Sequence, residues 1–158
     1  MPRTKSTSTV EIREGSLEEI QRQGGALIQA HYEEVALHKD LMELDPDWKR
    51  YYEIDLKGNL LVLVAVKQKV GMVGYSVTFL LSHPHYRRLI VAQNDVLFVA
   101  SEVRSTGIGP RLIFDTERRA RDRGAQLMLW HAKQQTALEK LLPKLGYGVQ
   151  DIIYSKEL

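Results

Sequence analysis

Apolar and polar positions alternate in blocks along this chain, and the period of the blocks changes several times. Residues 10–14, VEIRE, alternate with a period of two, the pattern of a half-buried strand. Gly15 breaks that pattern, and Ser16 with Glu19 three residues on has the spacing of a helix capping box. Helical spacing follows at Leu17, Ile20, Ala26, Leu27, Ala30 and Val35, with Gly24-Gly25 predicting a bend or a helix–helix turn. A second helix is predicted over residues 32–44. Asp45-Pro46-Asp47 signals a turn, and residues 48–54 add a helical turn. The first strong strand is the apolar run 60–66, LLVLVAV. After the polar turn Lys67-Gln68-Lys69 a second strand spans 70–81, with Gly71 and Gly74 as bulge or close-approach sites. A polar loop, SHPHYRR over 82–88, leads into the short apolar stretch 89–92 and then the central strand 96–100, VLFVA. Beyond the segment 101–107 the chain reads as a helix up to Gly124, a strand over 126–130, a helix over 134–145 ended by Gly146, and a last strand over 149–154. The order β-α-α-β-β-β-α-β-α-β predicts an α+β fold around a mixed sheet.

The junction after the central strand carries chemistry. A polar turn, residues 101–106, separates VLFVA from Gly107 and Gly109, with Pro110 next. The first N–H groups of a helix have no partner inside it and point beyond its end, which makes a strand–turn–helix junction an anion site. Glycine lets a phosphate approach the backbone. Proline fits the first helical turn, where its missing N–H costs nothing. The helix dipole favours negative charge there by roughly 0.3–1 kcal/mol. Pro110-Arg111 stands where a nucleoside triphosphatase needs Lys-Ser or Lys-Thr, and Leu112 stands where a dinucleotide fingerprint needs its third glycine.

One pattern fits. Arg104-Ser105-Thr106-Gly107-Ile108-Gly109 matches R/Q-x-x-G-x-G/A and resembles the acetyl-CoA pyrophosphate loop of the GNAT N-acetyltransferase superfamily. Further residues extend the resemblance over nearly the whole chain: Asp95 before VLFVA, Glu102-Val103-Arg104 as an E-x-R lead, and residues 134–137 with Leu145-Gly146-Tyr147, similar to N-x-x-A…L-G-F. The resemblance implies a single GNAT-like domain over residues 10–158. It implies three layers, with helices on both faces of a mostly antiparallel mixed sheet; residues 1–9 read from their own polar composition as a disordered tail. The small size, the HPHY loop and the WHAK segment (130–133) also resemble acetyltransferase-like proteins of tailed bacteriophages.

The activity so implied is transfer of an acetyl group from acetyl-CoA to an amine in a direct ternary complex; no cysteine is present to carry an acyl group. The resemblance places the pantetheine arm along Phe98, Val99 and Ala100, where a backbone N–H can stabilise an oxyanion. It places the pyrophosphate on the amides of Arg104, Ser105, Thr106, Gly107, Ile108 and Gly109. The Arg104 and Arg111 side chains add charge suited to phosphate, and Gln134 takes the place of the usual asparagine. Asp95 is the first candidate for general base and Glu102 the second. The chain departs from the family at Leu142, followed by Pro143, where many members carry the tyrosine that protonates the departing thiolate. Tyr147 and Tyr154 are the candidates to replace it; a thiol of pKa near 8.5 also leaves unaided. The acceptor is left open among a small amine, a protein amine and an amino group on a nucleobase. Two alternatives stand beside this reading: a non-catalytic acyl-CoA-binding module, motivated by Leu142, and an acetyl-CoA-dependent modifier of nucleic acid.

Composition adds bounds. The 158 residues suit one domain with one core. The absence of cysteine excludes a disulfide scaffold, a Cys-based zinc site and thiol catalysis. His83, His85 and His131 have no acid or cysteine at ligand spacing, so no metal is expected. Tyr86-Arg87-Arg88 is a candidate to meet the acceptor. Net charge is only +2, and Arg118, Arg119, Arg121 and Arg123 are interleaved with Asp115, Glu117 and Asp122. That pattern reads as a solvated helix face, and nucleic acid is not the favoured partner. The polar start MPRTKSTSTV and the lack of any bilayer-length apolar run lead to the expectation of a cytoplasmic protein, in the host cytoplasm if phage-encoded, without a membrane partner. The number of copies is left open between monomer and homodimer.

Overall fold

A computed structural model describes residues 9–158, so the tail read over residues 1–9 lies outside the described residues except for Thr9. Five strands, β1 (Val10–Glu14), β2 (Leu60–Lys67), β3 (Gly71–His83), β4 (Tyr86–Val99) and β5 (Leu127–Leu129), form one sheet in the order β1-β2-β3-β4-β5. The first four are antiparallel to their neighbours, and β5 is parallel to β4. This is the mixed, mostly antiparallel α+β sheet expected.

The run LLVLVAV explains why the sheet is covered twice. A strand buried on both faces reads as continuous apolar sequence rather than as alternation. Leu61, Leu63 and Ala65 enter one core with Ile108, Leu112 and Ala120 of α4 (Ile108–Asp122). Leu60, Val62 and Val64 enter the other with Leu17 and Ile20 of α1 (Leu17–Gln23). Ile28 of α2 (Gly25–Val35) and Trp48, Tyr51 and Ile54 of α3 (Trp48–Leu56) pack against that second core. Each fully buried leucine or isoleucine contributes about 1.5–3 kcal/mol.

Local signals place the helix ends. Ser16 Oγ accepts from the Glu19 N–H at 3.1 Å, as the capping-box spacing predicts. Asp47 caps α3 by accepting from the Arg50 N–H at 3.0 Å. The helix predicted over 32–44 is instead the end of α2, which stops at Val35. The loop after it carries His38 at φ 54°. The stretches 89–92 and 96–100, predicted as separate strands, merge into the single β4, because the SHPHYRR segment is a tight hairpin into β3. The helix predicted over 134–145 shortens to α5 (Ala137–Leu141) followed by a 3-10 turn, Leu142–Leu145, where Pro143 removes a helical N–H.

One expectation fails outright. Residues 149–154, predicted as the last strand, belong to no strand or helix. Their apolar residues are fully legible as β-formers, but the sheet ends at a three-residue β5 that pairs with β4 alone, and the segment is not paired to it.

Candidate active site

The site is built around the last third of β4. Pairing of β4 with β5 stops at Gln93 and Leu129. Beyond that point the strands part, and the Asn94 side chain spans the gap: its Oδ1 accepts from the His131 N–H, and its Nδ2 donates to the His131 carbonyl at 3.4 Å. From Val96 to Val99 the strand keeps its β3 neighbour and has no partner on the β5 side. The edge of β4 that faces the Trp130 loop is therefore left without a strand partner, and this unpaired edge is called the slot below.

At the end of this slot β4 runs through a 3-10 turn, Ser101–Thr106, into α4. The sequence reads this segment as a short polar turn, and the structure makes it a 3-10 helix. It is ordered by Val103, which is buried, and by the Thr106 hydroxyl donating to the Val103 carbonyl at 2.6 Å. Gly107 sits at φ 80°, a left-handed conformation that costs a residue with a Cβ roughly 1–2 kcal/mol. No side chain caps α4. A Cβ at Gly107 would meet nothing within 4 Å, and one at Gly109 only Leu141 Cδ2 at 3.9 Å. The protein's own packing thus does not require glycine at 109.

The other face of β4 carries a polar cluster that linear reading did not assemble. The β3–β4 register shifts between Val77 and Thr78, opposite Val96 and Asn94, which leaves Asp95 as the extra residue of a bulge. Bulges re-aim a side chain out of the alternation. Asp95 Oδ2 accepts a 2.5 Å hydrogen bond from the Tyr51 hydroxyl of α3. Burial, then the bonded Asp95 charge, pushes the Tyr51 hydroxyl well above the usual phenol range; burial, then the same charge, raises Tyr75. His31 of α2 lies with its ring centroid 5.0 Å from that of Phe98. Burial lowers its pKa, against the opposing charges of Glu34 and Asp95, so the imidazole is neutral at pH 7. Asp95 in front of VLFVA was visible in the sequence. His31, Tyr51 and Tyr75 were not, because neither spacing nor motif links them; the bulge and the packing of α2 and α3 do.

The predicted residues divide. Phe98, Val99, Gly107, Ile108 and Gly109 line the slot and the helix start, with Ser105 and Thr106 exposed beside them. Arg104 sits at the same mouth but faces α2. It donates to Glu34 in a two-pronged pair at 2.9 and 2.6 Å, donates through Nε to the Val99 carbonyl at 2.8 Å, and stands 5.2 Å over the Phe98 ring. Arg111, expected at the phosphate loop, donates to the Val10 carbonyl at 3.1 Å and so turns toward β1. Glu102 is exposed, and its own N–H and the Ser101 hydroxyl hold its carboxyl below the usual range, which favours a local cap over a base. Gln134 is exposed in the turn before α5. Tyr147 accepts from the Trp130 indole N–H at 3.0 Å, which leaves its own hydroxyl proton free to be donated. Leu142 is buried. Tyr154 is 88 % exposed in the unpaired C-terminal segment, outside the slot.

The remaining candidates sit elsewhere. His83 and His85 pack their rings at a tilt beside Tyr86 at the β3–β4 hairpin, at the other end of β4 from Val99. Arg119 and Arg123 both reach Glu14, and Arg118 reaches Asp115.

Comparison with known proteins places this geometry. The sequence model of the acetyltransferase (GNAT) family matches residues 25–147. No curated protein matches the chain. Among solved structures it resembles glucosamine-6-phosphate N-acetyltransferase from Arabidopsis thaliana, with 14 % identity over 94 % of this chain and 98 % of that one at a TM-score of 0.71. It also resembles ribosomal-protein-alanine N-acetyltransferase from Brucella melitensis, with 19 % identity over 95 % and 100 % at 0.69. An aminoglycoside acetyltransferase from an uncultured soil metagenomic sample has 16 % identity over 94 % and 96 % at 0.67. At these identities the likeness is one of fold.

Proposed function

The chain belongs to the acetyltransferase (GNAT) family and is an acyltransferase, and from that premise we propose that it moves an acetyl group from acetyl-CoA to a primary amine in a direct ternary complex. The observation that carries the proposal is the uncapped start of α4, open to solvent at Gly107 and Gly109, beside a β4 edge whose ladder has ended. Both features fit acetyl-CoA. A pyrophosphate meets free helix amides, and an extended amide-bearing arm meets unpaired strand groups.

Acetyl-CoA supplies an acetyl thioester; the chain's residues do the rest. The amides of Thr106 to Gly109 hold the pyrophosphate. Arg104, anchored on Glu34, closes the mouth and adds positive charge. A β4 N–H near Phe98 or Val99 stabilises the developing oxyanion. Asp95, bonded through Oδ2 to Tyr51, has Oδ1 left to bind the acceptor's ammonium and to take its proton, directly or through a water, as the C–N bond forms. His31, held neutral, is the second proton acceptor on the same face. The C–S bond breaks as the thiolate leaves, and Tyr147 supplies its proton.

The similar structures named above are named for a sugar-phosphate amine, a protein amine and an aminoglycoside. A primary amine is common to all three, and the acceptor of this chain is proposed at that level. The test is thermal melting with acetyl-CoA followed by an amine panel read out as free thiol. Ligand at a hundred times its dissociation constant stabilises by about 2.7 kcal/mol. Absence of any shift removes the proposal; a shift with no transfer to any amine turns it into a binding module.

A further inference from the structure

The β3–β4 hairpin holds a cavity that acetyl transfer does not use. β2 pairs with β3 only as far as Phe79, and β5 pairs with β4 only from Val91 onward. Residues 81–89 therefore stand past both neighbours as a two-stranded arm that turns at Pro84 and His85. Pairing inside the arm is irregular. Ser82 faces Ile90 and His83 faces Tyr86, so Arg87, Arg88 and Leu89 have no partner on β3. A bulge of this kind re-aims its side chains. Around it lies an open cavity of about 480 Å³, lined by Tyr86, Arg87, Arg88, Leu89 and Gln126. Small-ligand sites span about 300–1,000 Å³.

The cavity is basic and its charge is unspent. From Leu56 to Asn94 the chain has no acidic residue, and Arg87 and Arg88 adjoin within that stretch. Arg13, Arg104, Arg118, Arg119 and Arg123 are held by carboxylates, and Arg111 by the Val10 carbonyl. Among the described residues, Arg87 and Arg88 have no partner of either kind, and both are exposed. A second cavity, over Gly58, Leu81 and Ile90, carries only Arg123, already bonded to the Leu60 carbonyl and Glu14. Aromatic rings flank the two free guanidiniums. Tyr86 is 63 % exposed, with its ring centroid 4.7 Å from that of His83. The His85 N–H donates to His83 Nδ1 at 3.2 Å, which orders the turn beneath the rings. An exposed ring beside two unpaired guanidiniums matches a base and its phosphate. Every base has a π face to stack, and arginine forks fit phosphate oxygens.

We propose that the bulged hairpin binds a nucleoside phosphate, presented as one unit of a single-stranded nucleic acid. Arg87 and Arg88 take phosphate oxygens, Tyr86 stacks on the base, and the Gln126 amide offers a donor and an acceptor to the base edge. A strand is favoured over a free nucleotide because the arm stands clear of the sheet and its cavity is open, so a chain can enter and leave on both sides. At about 3.3 Å per residue, β4 places Arg88 on the order of 30 Å from Val99. The hairpin site is therefore separate from the slot proposed for acetyl-CoA, and it does not rest on the acetyltransferase reading.

The test is fluorescence anisotropy of a labelled oligodeoxythymidylate of about 12 nucleotides, within the span of one small domain, titrated with the full chain and no acetyl-CoA. Binding is expected, with a slope of log affinity on log salt of about −1.4, two phosphates at about 0.7 each. The double variant Arg87→Ala/Arg88→Ala should lose about tenfold or more in affinity and flatten that slope. Tyr86→Ala should lose at least about fivefold and keep the slope, since stacking carries no counterion release. Melting of the free protein should be unchanged in both, because the replaced side chains are exposed. Thymidine monophosphate that displaces the probe at comparable concentration makes a free nucleotide the source; failure to displace it keeps the strand as the source, and either result upholds the site. No binding, or full binding by the double arginine variant, overturns the proposal. So does binding that polyglutamate displaces equally well and that Tyr86→Ala leaves intact, which would reduce the hairpin to a general polyanion patch. If the variants misfold, photo-cross-linking of a 5-bromouracil oligomer to the unmodified chain decides. A cross-linked peptide containing Tyr86 supports the site, and one from α4 alone refutes it.

Discussion

The two faces of β4's C-terminal half are made in opposite ways. On the α4 side, every residue proposed to meet a phosphate comes from one unbroken stretch, Val99 through Gly109, whose geometry is local: a strand, a 3-10 turn, a left-handed glycine and a helix start. On the side of α1, α2 and α3, His31, Tyr51, Tyr75 and Asp95 come from α2, α3, β3 and the β4 bulge, and meet only because two helices pack over the sheet. The first half is a property of a short peptide held in place. The second is a property of the whole fold, so it is easier to disturb from a distance.

Substitutions can separate the halves. The largest effect is expected at Asp95: Asp95→Asn should lower kcat by about 10²–10⁴, the usual contribution of a general base, with the acetyl-CoA affinity from a binding titration unchanged. Wild-type turnover in this variant would remove the carboxylate base. Next is Gly109→Val. The protein has room for a new Cβ, and valine is only modestly better than glycine in a helix, so melting of the free protein should change little. Acetyl-CoA affinity should fall by roughly a hundredfold, about 2.7 kcal/mol. Loss of fold with affinity retained would mean that the glycine is structural.

Tyr51→Phe should cost about 1–2 kcal/mol in denaturant unfolding, the order expected for a half-buried hydrogen bond to a charged group, together with a several-fold drop in kcat. An unchanged pH–rate profile would show that Tyr51 does not tune Asp95.

His31 gives a smaller, pH-dependent effect. Its folded pKa is lowered, so between that value and the ordinary 6.5 the unfolded chain binds more protons than the folded one. The contribution of a neutral His31 is therefore complete above pH 6.5 and is lost as pH falls from there toward the folded value. His31→Gln should flatten that part of the stability curve in urea titrations at pH 5 to 7. Arg118→Ala is the control, because its pairs with Asp115 and Asp122 are solvent-exposed. The expected change is within about 0.5 kcal/mol.

Legibility followed the same division. The hexapeptide Arg104 to Gly109, the capping box at Ser16 and the apolar run at 60–66 could be read directly, because neighbouring residues decide those structures. Arg104 is assigned to phosphate by the motif and its charge, Arg111 by charge and its place beside the loop. Glu34 and the Val10 carbonyl, remote in sequence, are what the guanidiniums meet. Residues 149–154 have strand composition, but composition does not say whether an edge within reach is available to pair with.

By itself, the order of residues placed strands β1, β2 and β3 and helices α1 and α4 within a few residues, and marked the strand–turn–helix junction at Gly107. These depend on periodicity and on backbone preferences spanning a few residues. Only the tertiary structure decided that Asp95 leaves the ladder as a bulge, that Tyr51 bonds it while His31 packs on Phe98, and that the last apolar segment stays unpaired. Each of these is a contact between residues distant in the chain, set by which surfaces the packed layers leave facing one another.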